Sequence, residues 1–289
     1  MNHKTRLLDD LYIQELLSHI PQPPKQLHIR GSLPPPNQLL VTIVGSRKCS
    51  EYAKQVVDEI CKSLKGQPIS IISGLAQGVD ALAHTSALKH NLHAIAVLGC
   101  GLSDKILKQH PNFRLAQNIL ESNGALISEY KDEQTSRPYM FPARNRIMAG
   151  LSSLVIIIEA RQKSGTRITA RLATDYNRDV LVVPNSIYSP YSKGSNELIK
   201  QGAYVYTEPK DLFELLKLNT DQFPNLFSFI PNQTEQHIIS AIQSEHTLIE
   251  QIISYCSSHI SVQEIIQVLL QLELTGIIKK IDGKYTVLL

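Results

Sequence analysis

The stretch Ile69-Ser70-Ile71-Ile72-Ser73-Gly74-Leu75-Ala76-Gln77-Gly78-Val79-Asp80-Ala81-Leu82-Ala83-His84 decides the fold class. Ile69 to Ile72 is a short, nearly continuous apolar run, as a strand buried on both faces requires. A glycine-bearing turn follows, and helical spacing then runs from Val79 to Lys89. The same strand–turn–helix unit recurs on both sides. Upstream, Leu39 to Val44 reads as a strand and Tyr52 to Leu64 as a helix. Downstream, strands are expected at Ala94 to Leu98, Ala125 to Ile127, Leu154 to Ile158, Val180 to Val183 and Tyr204 to Tyr206. Helices are expected at Phe113 to Glu121, from Asn145 to Ala149 onward, at Thr169 to Tyr176 and at Glu197 to Gln201. Repeated β-α units with all-apolar central strands predict a Rossmann-like α/β fold with a doubly wound, mostly parallel sheet.

The flanks read differently. Residues 1–38 form an N-terminal segment with a helical stretch at Asp10 to Ser18, and Pro34-Pro35-Pro36 acts as a stiff spacer. The sheet domain is expected over 39–222. A linker follows at 223–232, which holds two prolines and two asparagines. Beyond it, apolar residues recur at helical spacing: Ile238, Ile239 and Ile242, then Leu248, Ile252 and Ile253, then Ile265, Val268, Leu269 and Leu272. The chain closes on a hairpin around Asp282-Gly283. Three short helices and a hairpin predict a small winged-helix domain over 233–289. No internal repeat is visible.

Composition narrows the function classes. The 289 residues are 43 % hydrophobic and 19 % charged, ordinary for a packed domain large enough to bury a core unaided. The four cysteines, Cys49, Cys61, Cys100 and Cys256, are scattered, with no Cys-x-x-Cys pair, so neither a zinc site nor a disulfide framework is expected. A reducing compartment fits this usage. No signal-peptide core precedes Leu17, and no apolar run approaches membrane-spanning length, so a cytoplasmic protein with no membrane partner is expected. Residues 228–289 carry three lysines against six acids, a net −3; the whole chain is +3, so the remainder is +6. If charge attracts nucleic acid, the first part does so.

Ligands of open α/β sheets sit beyond the carboxyl ends of the strands. Here those ends lead into Gly45-Ser46-Arg47, Ser73-Gly74, Gly99-Cys100-Gly101, Ser164-Gly165-Thr166 and Lys193-Gly194-Ser195-Asn196. Phe141-Pro142-Ala143-Arg144-Asn145-Arg146 precedes the most apolar strand. Small residues before helices leave free N–H groups and a positive dipole end, which favour phosphate. Guanidinium forks at Arg47, Arg144 and Arg146 suit the same ligand. Five such loops along one sheet edge point to an extended, phosphate-bearing molecule. Phe141 reads either as a core plug or as a surface on which a base stacks. No Gly-x-Gly-x-x-Gly follows the first strand, and no Walker loop or Gly-x-Ser-x-Gly elbow exists. His84, His90, His93 and His110 do not fall at metal-ligand spacing and read as surface or helix-cap residues. No cofactor, metal or catalytic set is expected.

At these loops the sequence resembles the DprA/Smf family of DNA-processing proteins, from about Leu27 to the C-terminus. The motifs are Val44-Gly45-Ser46-Arg47, Ser73 to His84, Phe141 to Ile147, Glu159-Ala160 with Ser164-Gly165-Thr166, and Lys193 to Ile199 ending at Gly202-Ala203. Leu270 to Gly276 with Gly283-Lys284-Tyr285 resembles the family's winged-helix module. The resemblance implies a single-stranded DNA binder that protects incoming DNA and loads the RecA recombinase during natural transformation. It also implies a homodimer formed through the Rossmann-like domain. Carried over, Ser46 and Arg47 hold phosphate, Ser73 and Gly74 line the groove, and Phe141 stacks a base. Arg144 and Arg146 complete the positive wall, and Arg137 stands in for a basic residue just upstream. Asn145, Ser164, Gly165, Thr166, Lys193, Gly194 and Asn196 join the DNA-binding set. The chain departs from the family's pattern at Gln77, where arginine is usual, at Asn185, where glycine is usual, and at Ser195, where cysteine is usual. A helix-hairpin-helix-like N-terminal segment, present in many members, is absent or shortened.

Two rivals belong to other classes. Nucleoside-monophosphate phosphoribohydrolases, typified by the lysine-decarboxylase-like proteins, place a catalytic Glu after Gly-Gly-x-Gly-Thr. Here Gly165-Thr166 is followed by Arg167, which opposes an oxocarbenium-like cation, and Glu129 and Glu159 read as structural caps. A winged-helix regulator of duplex DNA is opposed by the net −3 of that module.

Overall fold

The computed structural model describes residues 4–9, 11–36, 38–219, 233–244, 246–257, 260–274, 277–281 and 283–287. The expected linker at 223–232 lies outside the described residues, as do Thr275, Gly276 and Asp282. The chain forms two compact units, Met1–Asn219 and Thr220–Leu289.

The first unit opens with strand β1 (Arg6–Leu7), helix α1 (Leu11–Ser18) and strand β2 (His28–Gly31). It continues with β3 (Leu39–Val44), α2 (Glu51–Ser63), β4 (Ile69–Ser73), α3 (Val79–Lys89), β5 (His93–Leu98), α4 (Asp104–Leu107), α5 (Phe113–Glu121) and β6 (Ala125–Ser128). The return half holds α6 (Met140–Leu151), β7 (Leu154–Ile157), α7 (Gly165–Asp175), β8 (Asp179–Val182), α8 (Lys193–Lys200), β9 (Tyr204–Val205) and α9 (Pro209–Leu215).

The strands make one nine-stranded sheet in the order β1-β2-β6-β5-β4-β3-β7-β8-β9. Every pair from β6 across to β9 is parallel, while β2 joins β6, and β1 joins β2, antiparallel. Central strands have helices on both faces, which is why Leu40 to Val44, Ile69 to Ser73 and Leu154 to Ile157 are buried throughout. The doubly wound, mostly parallel sheet expected from the sequence is therefore present. The chain winds outward from β3 through β4 and β5 to β6, then returns to β7 on the other side of β3. The winding direction thus reverses between β3 and β7.

Residues ahead of Pro34 are part of this unit. Ile29 on β2 pairs with Ile127, and Ile13, Leu17, Ile20 and Leu27 are buried in the same core as β3 and α6. Leu17 and Ile20 pack so closely on α6 that Gly150 has no room for a Cβ.

The second unit comprises α10 (Gln233–Gln243), α11 (Ile249–Cys256), α12 (Val262–Leu274), β10 (Ile278–Ile281) and β11 (Lys284–Val287). Ile238, Ile242, Ile252, Ile265, Leu269 and Leu272 form its core, at the spacing the sequence showed. The two strands pair antiparallel, Ile278 with Val287 and Ile281 with Lys284. Among the described residues no helix is long and apolar enough to cross a membrane.

Candidate nucleic-acid interface

A cleft of about 670 Å³ opens where the winding reverses, at the carboxyl ends of β3 and β7. Its first wall is the loop after β3. Val79 N–H donates to the Ser46 carbonyl at 3.1 Å, so this loop rests on the first turn of α3. Gly78 makes the approach possible: its φ is +79°, and a Cβ there would collide with the Ser46 and Arg47 carbonyls. Ser46 is held inside by this contact, while Arg47 and Lys48 project outward.

The opposite wall is the loop after β7 together with the first turn of α7. Ser164 caps that helix, its Oγ accepting from Thr166 N–H at 3.2 Å. The start of α7 at Ser164, Gly165 and Thr166 faces the cleft. Arg161 and Lys163, both exposed, stand on the same loop. Sequence motifs did not single out these two cations or Lys48. Their signal was the pair of basic residues in Arg161-Gln162-Lys163, directly after the most apolar strand.

Phe141, Arg144 and Asn145 reach the cleft from α6. The sequence suggested a loop here, but Phe141-Pro142-Ala143-Arg144 forms the first turns of a helix that begins at Met140. Proline is tolerated there because the first-turn N–H groups have no intrahelical partner. The helical geometry changes the roles of the arginines. Residues two apart on a helix do not share a face. Arg144 points inward, and its side chain is 7 % exposed. Its Nη1 donates to the Gly74 carbonyl at 2.5 Å and to the Val97 carbonyl, and its Nε donates to Asn145 Oδ1 at 3.1 Å. Its Nη2 lies 3.6 Å from Asp80 Oδ2. Burial raises the Asp80 carboxyl, and the nearby guanidinium partly offsets that rise. Arg146 turns to another face, where Nη2 contacts both oxygens of Glu129 at 2.5 and 2.6 Å. It does not line the cleft.

Phe141 is half-buried and stands between the cleft and a second hollow of about 210 Å³, which Gln77 also lines. The guanidinium of Arg47 sits 5.8 Å from its ring centroid. Other expected site residues lie deeper or elsewhere. Ser73 is buried, donating to the Ile43 carbonyl at 2.6 Å, and Gly74 lies against Arg144. Arg137 is exposed, just ahead of the cleft residue Pro138. Gly194 N–H donates to the Ala160 carbonyl at 2.8 Å, and Asn196 Nδ2 to the Asn185 carbonyl at 2.8 Å. These two brace the loop behind the cleft, and Lys193 is exposed beside them. His84, expected at the surface or a cap, is instead fully buried, with its imidazole pushed down to about 3 by burial.

The exposed charge at the cleft is one-sided, since the one carboxylate in its lining, Asp80, is buried beside Arg144. Among the described residues, Arg47, Lys48, Arg161 and Lys163 form no ion pair with a carboxylate. Glu159, a candidate general base by sequence, is fully buried. It accepts from Ser50 N–H at 3.1 Å, Ser50 Oγ at 2.5 Å and Asn185 Nδ2 at 3.1 Å, and so ties the α2 cap to the loop after β8. Arg167 is turned to Glu197, at 3.3 Å. No cluster of three or more His, Cys, Asp or Glu side chains that would hold a metal ion occurs among the described residues.

Residues 4–217 match the family described as DNA recombination-mediator protein A. The chain belongs to this family. It is 36 % identical over 271 residues to protein Smf of Escherichia coli K12, covering 91 % of this chain and 71 % of the relative. It is 37 % identical over 206 residues to DNA processing protein DprA of Streptococcus pneumoniae, covering 71 % of each. The solved structure of that pneumococcal protein superposes with a TM-score of 0.65 at 32 % identity over 74 % of each chain. DNA processing protein A from Helicobacter pylori, whose solved structure concerns its single-stranded DNA binding mode, superposes with a TM-score of 0.66 at 30 % identity. It covers 75 % of this chain and 97 % of its own. In this family member, two of the three departures from the pattern have local partners. Ser195 Oγ donates to the Ser192 carbonyl at 2.9 Å, and Asn185 holds Glu159.

Proposed function

We propose that the cleft binds single-stranded DNA without sequence preference. The observation that carries this reading is the gathering, around one cleft, of four cations with no carboxylate partner among the described residues, a helix N-terminus and a half-exposed aromatic ring. Arg47, Lys48, Arg161 and Lys163 grip successive phosphates, aided by Ser46 and the first turn of α7 at Ser164, Gly165 and Thr166. Phe141 receives an unstacked base, which a duplex cannot supply. Arg144 and Asn145 fix the helix that presents it. The fold of the second unit is read as a winged helix that supports association rather than duplex readout, given its excess of acids. The protein protects the strand and loads RecA recombinase during natural transformation, acting as a homodimer in the cytoplasm. It performs no catalysis: Glu159 and Glu129 are engaged in structural contacts.

Fluorescence anisotropy of labelled oligothymidine against duplex of equal length, across a salt series, tests the binding. Tight, salt-dependent preference for the single strand is expected; equal or better binding of duplex refutes it. RecA loading is read from recombinase ATP turnover on strands precoated with single-strand-binding protein, with and without this chain. No acceleration removes that part of the reading.

A further inference from the structure

We infer that Tyr188 is a second base-stacking station, reached from the cleft over Arg161. The inference rests on the single-stranded DNA reading of the cleft and extends it to a surface that no motif marks.

The segment after β8, Pro184-Asn185-Ser186-Ile187-Tyr188-Ser189-Pro190-Tyr191-Ser192-Lys193, is built onto the cleft wall. Gly194 and Ser195 both donate backbone N–H bonds to the Ala160 carbonyl, at 2.8 and 3.2 Å. A Cβ at Gly194 would collide with the Arg161 carbonyl, so this close approach depends on glycine. The Arg161 guanidinium lies 4.9 Å from the ring centroid of Tyr191. That stacking holds a phosphate-seeking side chain in place at the boundary between cleft and segment.

The segment is held by its own polar side chains. Asn185 N–H donates to Asn196 Oδ1 at 3.3 Å, and Asn196 Nδ2 returns a bond to the Asn185 carbonyl. Tyr188 N–H donates to Ser186 Oγ at 3.3 Å, Tyr191 N–H to Ser189 Oγ at 3.2 Å, and Ser189 N–H closes a turn on the Ser186 carbonyl at 2.9 Å. Yet this braced turn carries Ile187 at 80 % and Tyr188 at 91 % exposure. Tyr188 is more exposed than any other large apolar side chain among the described residues. A tyrosine on an ordered turn offers a flat face at small entropic cost, since two torsions alone need fixing.

The chemistry favours a base as its occupant. The segment holds no acid, ends in Lys193, and adjoins Arg161 and Lys163, neither of which is paired with a carboxylate among the described residues. A strand whose phosphates follow Arg47, Lys163 and Arg161 reaches the guanidinium that stacks on Tyr191, three residues along from Tyr188. Sequence-neutral platforms of this kind stack one base per ring.

The test uses the full chain and a labelled oligothymidine of about twenty nucleotides, long enough to run past one site of ordinary size. Tyr188→Ala is expected to weaken binding at least about fivefold, the low end for loss of one base–aromatic contact. Tyr188→Phe keeps the ring and is expected to restore wild-type affinity. Photo-crosslinking of the same oligomer carrying 5-iododeoxyuridine is expected to label the peptide that contains Tyr188. Unchanged affinity of Tyr188→Ala, with wild type still binding and Phe141→Ala still weakened, overturns the station and leaves the cleft standing. A change in mass by light scattering for Tyr188→Ala, without loss of affinity, also overturns it in favour of a contact between copies. Failure of the wild-type chain to bind the oligomer removes both readings together.

Discussion

The guanidinium of Arg144 occupies the space in which Gly74 lacks a side chain. A Cβ at Gly74 would fall inside contact distance of Nη1, Cζ and Nη2 of Arg144. The two residues are 70 positions apart and join α6 to the end of β4, while the same guanidinium reaches Val97 at the end of β5 and Asp80 on α3. Arg144 is therefore a strut that sets where Phe141 stands. Gly74→Ala must expel it, and Arg144→Ala leaves the Asp80 carboxyl buried without its cation. Losing one partner of a buried pair costs about 3–5 kcal/mol. Both variants are expected to lower the urea midpoint sharply, and Arg144→Lys is not expected to restore it, because one ammonium cannot reproduce a fork on several acceptors. Wild-type stability in Arg144→Ala would return this residue to the DNA-contacting set.

The exposed cations should behave in the opposite way. Arg47→Ala and Lys163→Ala remove charge from the cleft rim without uncovering a buried group. Their stability is expected to stay within about 0.5 kcal/mol of wild type. Their affinity for single strands should fall broadly across sequences, and each should reduce the slope of log K against log salt by about 0.7, the value for one phosphate on a single strand. Arg146→Ala, whose side chain faces Glu129 away from the cleft, should leave that slope unchanged. Anisotropy at four or more salt concentrations separates these outcomes.

This contrast shows how far the sequence could be read. Apolar runs at Ile69 to Ile72 and Leu154 to Ile158 fixed the parallel strands because each buries both faces, and the loops after them located the cleft. The role of each arginine was not legible. Arg144 and Arg146 look equivalent in a motif, but a helix starting at Met140 sends them to different faces. That start was obscured by Pro142, which a pattern reader takes as a break although a first turn accepts it. The pairing of β2 beside β6 was also hidden, since four residues with one glycine carry no record of their partner. Arg161 and Lys163 lay outside the glycine motifs and became visible as site residues once β7 was seen at the reversal of winding.

Glu159 provides a test against the enzyme reading. It is buried at the end of β7, and its two oxygens are taken by Ser50 and Asn185. A carboxylate so engaged acts as a brace between the α2 cap and the loop after β8. Glu159→Ala would strand those donors, and each bond to a charged acceptor contributes about 1.5–3 kcal/mol. The variant is expected to lose stability, while neither it nor the wild-type chain releases free base from nucleoside monophosphates. Base release by the wild type that vanishes in Glu159→Gln, with the fold intact, would establish a catalytic carboxylate instead.

His84 sets an acid limit on stability. Its imidazole is pushed down from 6.5 to about 3, first by burial and then by the nearby Arg144 charge. In the folded chain it stays neutral over a range in which the unfolded chain takes up a proton. The unfolded state therefore binds more protons below pH 6.5, and stability falls as pH drops from there toward 3. One such histidine contributes a slope of up to about 1.4 kcal/mol per pH unit. Burial also lowers His93 and His110, which act in the same direction. Asp58 behaves differently: Lys89 and His90 hold it near 2, so its contribution is complete above 3.8 and is lost only below that value. Between pH 6.5 and 4, the slope from these groups belongs to the buried histidines. Burial raises the Asp80 carboxyl, which opposes this decline in both proteins, so the test is the difference between them: urea midpoints across this window should decline less steeply for His84→Gln than for the wild type, whatever the variant's stability at neutral pH. Parallel lines for the two proteins would mean that His84 is protonated in the folded state, and would place it within reach of solvent rather than behind Arg144.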